Sequence, residues 1–162
     1  MKNSIKSILD AWNESRELTW DLVNSILDDH LLKVQNRPGL NTVGMHLIEM
    51  ADVTMGFAKS LQTGKLSLSS IKEVYSVDEQ SKDFIKNSLE QSDKLVEKAT
   101  SEVAPDFLIN AFGEECTVED ILLTLLRHEN LHHGQIIAFA FASHIPIPKS
   151  WTNSWALPSQ DD

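Results

Sequence analysis

Cysteine is nearly absent from the sequence, since Cys116 is the only one among 162 residues. A single thiol excludes an intrachain disulfide and a metal site built on several cysteine ligands. Small secreted domains often depend on disulfides, so this composition is typical of a protein from the reducing interior of a cell. We therefore expect a cytoplasmic protein.

Basic residues are scarce as well, with 14 Lys and Arg against 24 Asp and Glu and a formal net charge of −10. Nucleic acids and anionic membranes are bound through clusters of Lys and Arg. The charge balance therefore argues against nucleic acid and membrane partners. A small-molecule ligand that is neutral or cationic, or a second copy of the chain, is easier to accommodate.

Long hydrophobic runs are missing too. The richest segment is "IIAFAFA", far short of the roughly 18 apolar residues that suggest a membrane span. The beginning, "MKNSIKSILDAWNESRE", lacks the apolar core of a signal peptide. Because 41% of the residues are hydrophobic, the length suits one sizeable core, and we expect a single domain over residues 1–162.

Alternation of polar and apolar residues, the mark of strands, is also rare, whereas helical periodicity is widespread. Apolar residues at three- and four-residue steps predict a first helix over residues 5–26, capped by Asn3 or Ser4. A second helix is predicted from about residue 41 to Gly64, which is a suitable terminator.

Two further helices are predicted in the second half of the chain. Ser76 and Glu79 fit a capping box that begins the third helix, which should fade near Pro105. Thr117 is expected to cap the fourth, "VEDILLTLLRHENLHHGQIIAFAFASH". The apolar density of this segment predicts the most buried position in the bundle.

The connections complete the predicted architecture. A Pro-Gly pair marks the first link, with one short helical turn around residues 30–34, and a Ser-rich linker follows the second helix. "FLINAFGEEC" is expected to be an irregular or short extended link, and "IPIPKSWTNSWALPSQDD" an extended strap packed on the bundle. The prediction is an all-α four-helix bundle with a long crossover between helices 2 and 3 and an extended C-terminal tail.

The fourth predicted helix contains a run that reads HExxH, from His128 to His132 with Glu129 beside the first histidine. On a helix this pattern is the zinc-protease signature. Such proteases need a third ligand downstream, but the only later carboxylates are at the end of the tail, and His144 lies about 18 Å further along a continuous helix. A metalloprotease is therefore not expected.

The pair His128 and His132 still suits a metal ion. Four residues on a helix leave the two imidazoles roughly 40° apart on one face and one turn apart. His133 points about 100° away, which leaves His46 of the second predicted helix as the best third donor. Taken singly, each histidine is more often an ordinary core or surface residue. Three histidines on facing helices, however, are costly to bury unless they share a partner.

At these residues the sequence resembles the DinB-like (YfiT-related) metal-binding four-helix bundles. "GMHLIEM" and "HENLHHGQII" look like the two histidine motifs of that family, with Gly134 and Gln135 in place. The resemblance covers nearly the whole chain and implies that His46, His128 and His132 form a metal triad. His133 departs from the pattern, because the family often has arginine at this position. The departure argues against a role of this position in binding an anionic substrate group.

The resemblance also implies an activity. Characterised relatives include S-transferases and isomerases that use a divalent metal to activate a low-molecular-weight thiol such as bacillithiol or mycothiol. We therefore expect a divalent metal, zinc or nickel, a thiol cofactor, and a thiol-dependent S-transferase acting on small electrophiles in detoxification or stress response. Relatives are often dimers, so a homodimer is expected.

Two alternatives remain open on sequence alone. A metal-dependent hydrolase would activate water at the same ion, and a stress protein without turnover would hold the metal for structure or sensing. Glu49 and Glu129 are candidates for orienting an imidazole or moving a proton. For Glu129 the favoured interpretation is a solvated helix residue, because it points about 100° from His128.

Overall fold

The computed structural model describes residues 2–34, 41–68 and 75–158. These ranges contain six helices and one hairpin: α1 (Lys2–Ser25), α2 (Asp28–Leu31), α3 (Val43–Thr63), α4 (Lys82–Glu102), β1 (Leu108–Ala111), β2 (Glu114–Thr117), α5 (Val118–Ser143) and α6 (Lys149–Ser154). The Pro-Gly link, residues 69–74 of the Ser-rich linker and the last four residues lie outside the described part.

The four long helices form the predicted bundle. Helix α1 packs on α5, α5 packs on α3, and α3 packs on α4. The connection from α3 to α4 runs from Gly64 to Ser81. An all-α four-helix bundle with a long connection in its middle is thus confirmed. No helix within the described ranges has both the length and the hydrophobicity to cross a bilayer.

Three helix ends follow from single residues, as predicted. The Thr42 hydroxyl accepts a hydrogen bond from the Met45 amide at the start of α3, and Gly64 ends α3 with a φ of 73°. Glycine adopts this left-handed conformation without the steric penalty of a side chain. Thr117 and Asp120 form a capping box at the start of α5, which satisfies amides that the first turn leaves unpaired.

Two predicted caps were wrong. Ser4 lies inside α1, and its hydroxyl bonds the Glu119 side chain of α5 instead. Ser76 and Glu79 do bond each other, but Ser76 precedes a single 3-10 turn, Asp78–Gln80, that contains Glu79, and not the third long helix. Helix α4 begins later, because Ser81 has extended backbone angles and accepts from the amide of Phe84.

The segment between α4 and α5 is a β-hairpin, so the extended alternative of the prediction was correct. Leu108 faces Thr117 and Ala111 faces Glu114 across the two strands. The two turn residues, Phe112 and Gly113, have φ angles of 54° and 88°. Two consecutive positive φ angles suit the right-handed twist of a two-residue hairpin loop.

The tail packs on the bundle, but its prediction as a fully extended strap was wrong. Pro148 has a φ of −58° and precedes the short helix α6. No proline follows until Pro158, so the intervening amides are free to make helical hydrogen bonds. Trp151 of α6 is fully buried, and its indole N–H donates to the Leu18 carbonyl of α1 at 2.6 Å.

The apolar core consists of two clusters, one at each end of the bundle. Along α5, Leu125 belongs to one cluster and Ile136 to the other; along α1, Trp12 and Leu22 are divided in the same way. Buried polar side chains separate the clusters, and we call them the polar layer: Arg16, Thr19, Thr54, Ser92, Glu129, His132 and His133.

Helix α5 is not the most buried helix, contrary to the prediction. Fourteen of the 21 residues of α3 are buried, against 10 of the 26 in α5. Helix α3 packs against both α4 and α5 and also contacts α2 and β1. The solvent-facing side of α5 includes Leu131, which is 58% exposed, so apolar content alone overstated its burial.

Candidate metal centre

The predicted triad comes from two helices that pack against each other. His46 lies in the first turn of α3, and His128 and His132 lie one turn apart in the middle of α5. His46 and His132 are buried, and His128 is partly exposed. The structure therefore brings together the three histidines that sequence spacing selected.

The three imidazoles form a chain with His132 at its centre. His132 Nδ1 is 3.0 Å from His46 Nδ1, and His132 Nε2 is 3.1 Å from His128 Nε2. Two nitrogens bound tetrahedrally to one zinc ion at about 2.0–2.1 Å would lie roughly 3.3 Å apart. Either spacing alone fits a shared ion, but an imidazole binds an ion through one nitrogen, and the two contacts use different nitrogens of His132. As the side chains stand, His46 lies at one edge of the His132 ring and His128 at the other.

Glu49 adds a carboxylate to this group. Its Oε1 atom is 3.9 Å from His132 Nε2, and it lies one helical turn after His46. Donor atoms of His46, Glu49 and His132 all fall within 4.8 Å of one another. Burial raises the pKa of this half-buried carboxyl group. The sequence suggested Glu49 as a residue that orients an imidazole or moves a proton, whereas the geometry also suits a direct ligand.

The protonation state of the histidines suits metal binding. Burial lowers the pKa of His46. Burial, followed by the charge of Arg16, lowers the pKa of His128 to about 4. Burial, followed by the neighbouring histidines, lowers the pKa of His132 to about 3. At neutral pH these imidazoles carry free lone pairs, which a divalent ion requires.

Glu129 was predicted to be solvated, and this was wrong. Its side chain is fully buried and turned away from the triad. Oε1 accepts a hydrogen bond from Thr19 at 2.5 Å, and Oε2 is 3.3 Å from Arg16 Nη2. The predicted direction was correct, but that direction leads into the polar layer. A carboxylate held in this way cannot act as the solvent-accessible base of a zinc protease.

His133 also points away from the triad, as predicted. It is fully buried, with Nε2 at 2.8 Å from the Thr19 hydroxyl. Its ring lies against Trp151 and Trp155 of the tail, at centroid distances of 4.5 and 5.8 Å. This position anchors the tail and is not open to an anionic ligand. His30 lies in α2, and His144 caps α5.

The polar layer was missed by sequence reasoning, although a signal existed. On α1 the apolar stripe includes Trp12 and Leu22, and a helical period places Arg16 and Thr19 on that same face. A charged residue inside a buried stripe needs a partner of opposite charge. That partner could not be identified without knowing which helix faces α1.

The chain matches a family model, and its fold matches solved structures. A family model described as the DinB family matches residues 1–140. A DinB-like protein from Bacillus cereus has a TM-score of 0.69 at 18% identity, covering 88% of this chain and 95% of that one. A DinB-like protein from Bacillus subtilis has a TM-score of 0.53 at 18% identity, covering 91% and 96%. No curated protein matches the chain.

Proposed function

Because this chain belongs to the DinB family, we propose that it is a divalent-metal-dependent enzyme that transfers a low-molecular-weight thiol to small electrophiles. His46, His128 and His132 would hold the ion. The observation that carries this proposal is the group of donor atoms from His46, Glu49 and His132, which lie within 4.8 Å of one another. His128 Nε2 lies 3.1 Å from His132 Nε2, beside this group. Neutral imidazoles suit zinc and nickel alike.

A divalent ion bound by three imidazoles retains open coordination positions and lowers the pKa of a thiol or water that it binds. The chain's own cysteine, Cys116, lies on β2, outside the histidine group. The nucleophilic sulfur would therefore be supplied by a separate thiol compound. This requirement distinguishes a transferase from an enzyme that uses its own cysteine.

We assign to Glu49 the role of accepting the proton that the incoming thiol loses. Glu49 lies 3.9 Å from His132 Nε2 and remains half-exposed, so it can exchange protons with solvent. Burial raises its pKa, and a raised pKa makes a carboxylate a better proton acceptor near neutral pH. The same position would allow it to complete the coordination of the ion when no thiol is bound.

A metal-dependent hydrolase is the second candidate, and the placement of Glu129 weakens it. In HExxH hydrolases the glutamate beside the metal acts on water. Here that glutamate faces Arg16 and Thr19 without solvent contact. A hydrolase would have to use Glu49 as its base.

Cobalt-substituted protein, purified without an affinity tag, provides the test. Adding cysteine as the thiol probe is expected to change the visible spectrum of the cobalt, because sulfur enters its coordination sphere. The loaded protein should then accelerate conjugation of the thiol to a model electrophile, 1-chloro-2,4-dinitrobenzene.

The control is His46→Ala, which should show neither response. A spectrum that does not respond to thiol would contradict the transferase. Hydrolysis of a model ester by the loaded protein without thiol would support the second candidate instead.

A further inference from the structure

Arg16 is the only described residue of the polar layer with a positive charge. Its side chain is 4% exposed, so its charge must be compensated within the protein. Among the described residues, Nη2 has a hydrogen-bond partner, whereas Nε and Nη1 have none. The guanidinium contacts all of the other long helices, through Thr54 of α3, Asp93 of α4 and Glu129 of α5. A single side chain of α1 thus joins the whole bundle at one level.

One nitrogen of Arg16 connects the two helices that carry the triad. Nη2 donates to the Thr54 hydroxyl of α3 at 2.7 Å and lies 3.3 Å from Glu129 Oε2 of α5. Glu129 is the residue next to His128, and Thr54 is eight residues after His46, about 12 Å along α3. The position of α3 along α5 is therefore fixed at a point next to His128 on α5 and about 12 Å from His46 along α3.

The remaining contacts hold the guanidinium in one orientation. Arg16 Nε is 3.3 Å from Asp93 Oδ1, and the Trp20 indole N–H donates to the other oxygen of Asp93 at 2.8 Å. The guanidinium carbon lies 5.0 Å from the ring centroid of Trp12. Trp12 lies against one face of the planar guanidinium, and Asp93 lies at its Nε edge. These two contacts orient the Nη2 donor in a defined direction.

We propose that Arg16 is a positioning residue for the metal centre: by bonding Thr54 and pairing with Glu129, it sets the register of α3 against α5 and so the distance from His46 to His132. This inference rests on the proposed function, since it assigns a purpose to that register. Lysine has no equivalent fork of donors. The bond to Thr54 is the part of the arrangement specific to α3.

Thr54→Val is the most direct test, because valine keeps the shape of threonine and removes the acceptor for Arg16. Thr100→Val is the matched control. Both hydroxyls donate to a carbonyl four residues earlier in their own helix, but only Thr54 receives Arg16. Thr54→Ser, which restores a hydroxyl, is the rescue variant.

The first measurement needs no metal. Nuclear Overhauser contacts between the rings of His46 and His132, whose centroids are 5.1 Å apart, are recorded in metal-free protein. We expect them to weaken in Thr54→Val and to persist in Thr100→Val and Thr54→Ser. Unchanged contacts in Thr54→Val would overturn the proposal. If Thr54→Val does not fold, Arg16→Lys gives the same comparison.

The second measurement is zinc affinity. Loss of a residue that orients metal ligands typically weakens binding by about 10-fold or more, and we expect such a loss in Thr54→Val alone. Affinity equal to that of the native protein would contradict the positioning role. A native protein that binds no zinc would contradict the proposed function, while the ring contacts would still decide the role of Arg16.

Discussion

The buried carboxylate of Glu129 is stabilised by its contacts with Arg16 and Thr19. Burial raises the pKa of its carboxyl group, and Arg16 and Thr19 act in the opposite direction. Removing one partner of a buried charge pair leaves the other charge uncompensated, which is far more costly than the pair itself. The residue that looks like a catalytic base in the HExxH pattern thus stabilises the polar layer.

Glu129→Ala is expected to lower the free energy of unfolding by about 3 kcal/mol, because Arg16 loses a buried partner. Urea denaturation measures this change. The control is Glu97→Ala on the exposed face of α4, which should change stability by less than about 0.5 kcal/mol. Equal midpoints for the two variants would show that the Arg16 contact contributes little.

The buried histidines predict how stability depends on pH. Burial, as the largest cause, lowers the pKa of both His132 and His133 from 6.5 to about 3. Below pH 6.5 the unfolded chain therefore binds protons that the folded, metal-free protein does not. Stability is complete above pH 6.5 and falls as the pH decreases towards 3, by roughly 1.4 kcal/mol per pH unit for each histidine.

Urea denaturation of metal-free protein at pH 7.5, 6.5 and 5.5 measures this slope. His133→Gln should make the decline between pH 6.5 and 5.5 shallower, because one of the buried titrating groups has been removed. A stability that is constant or rises over this interval would contradict the burial of neutral imidazoles.

At the scale of the elements, the ends of α3 and α5 were predictable because each depends on local chemistry. Thr42, Gly64 and Thr117 act within a few residues of their own position. The start of α4 is also set locally, by Ser81, but the pair Ser76 and Glu79, which begins five residues earlier, matches a capping box and led to the wrong prediction. The helix in the tail was not predictable from local chemistry. Helix α6 is held by Trp151, whose partners, Leu18 and His133, are more than a dozen residues away along the chain.

Trp151→Ala is therefore expected to destabilise the protein strongly. A fully buried tryptophan replaced by alanine costs about 3–5 kcal/mol, and the hydrogen bond to the Leu18 carbonyl is lost as well. Trp155→Ala is the matched control, since this indole is only partly buried against the same histidine. Chemical denaturation of both variants should show the larger loss for Trp151.

At the scale of the whole molecule, sequence spacing selected three histidines that lie near one another in the structure, but it did not indicate the polar layer. Their proximity was predictable because His128 and His132 are one helical turn apart and His46 lies on a second apolar helix. Arg16, Thr54 and the inward direction of Glu129 depend on which helices are neighbours, and periodicity contains no such information. The homodimer expected from the resemblance stays a prediction, which analytical ultracentrifugation checks.

The central claim is one metal ion shared between α3 and α5. Zinc stoichiometry and affinity, measured across single histidine variants, test it most directly. We expect His46→Ala, His128→Ala and His132→Ala each to weaken binding sharply, and His30→Ala, His133→Gln and His144→Ala to bind like the native protein. Full zinc occupancy in His46→Ala, with native affinity, would contradict the interhelical site and the thiol-accepting centre proposed for it.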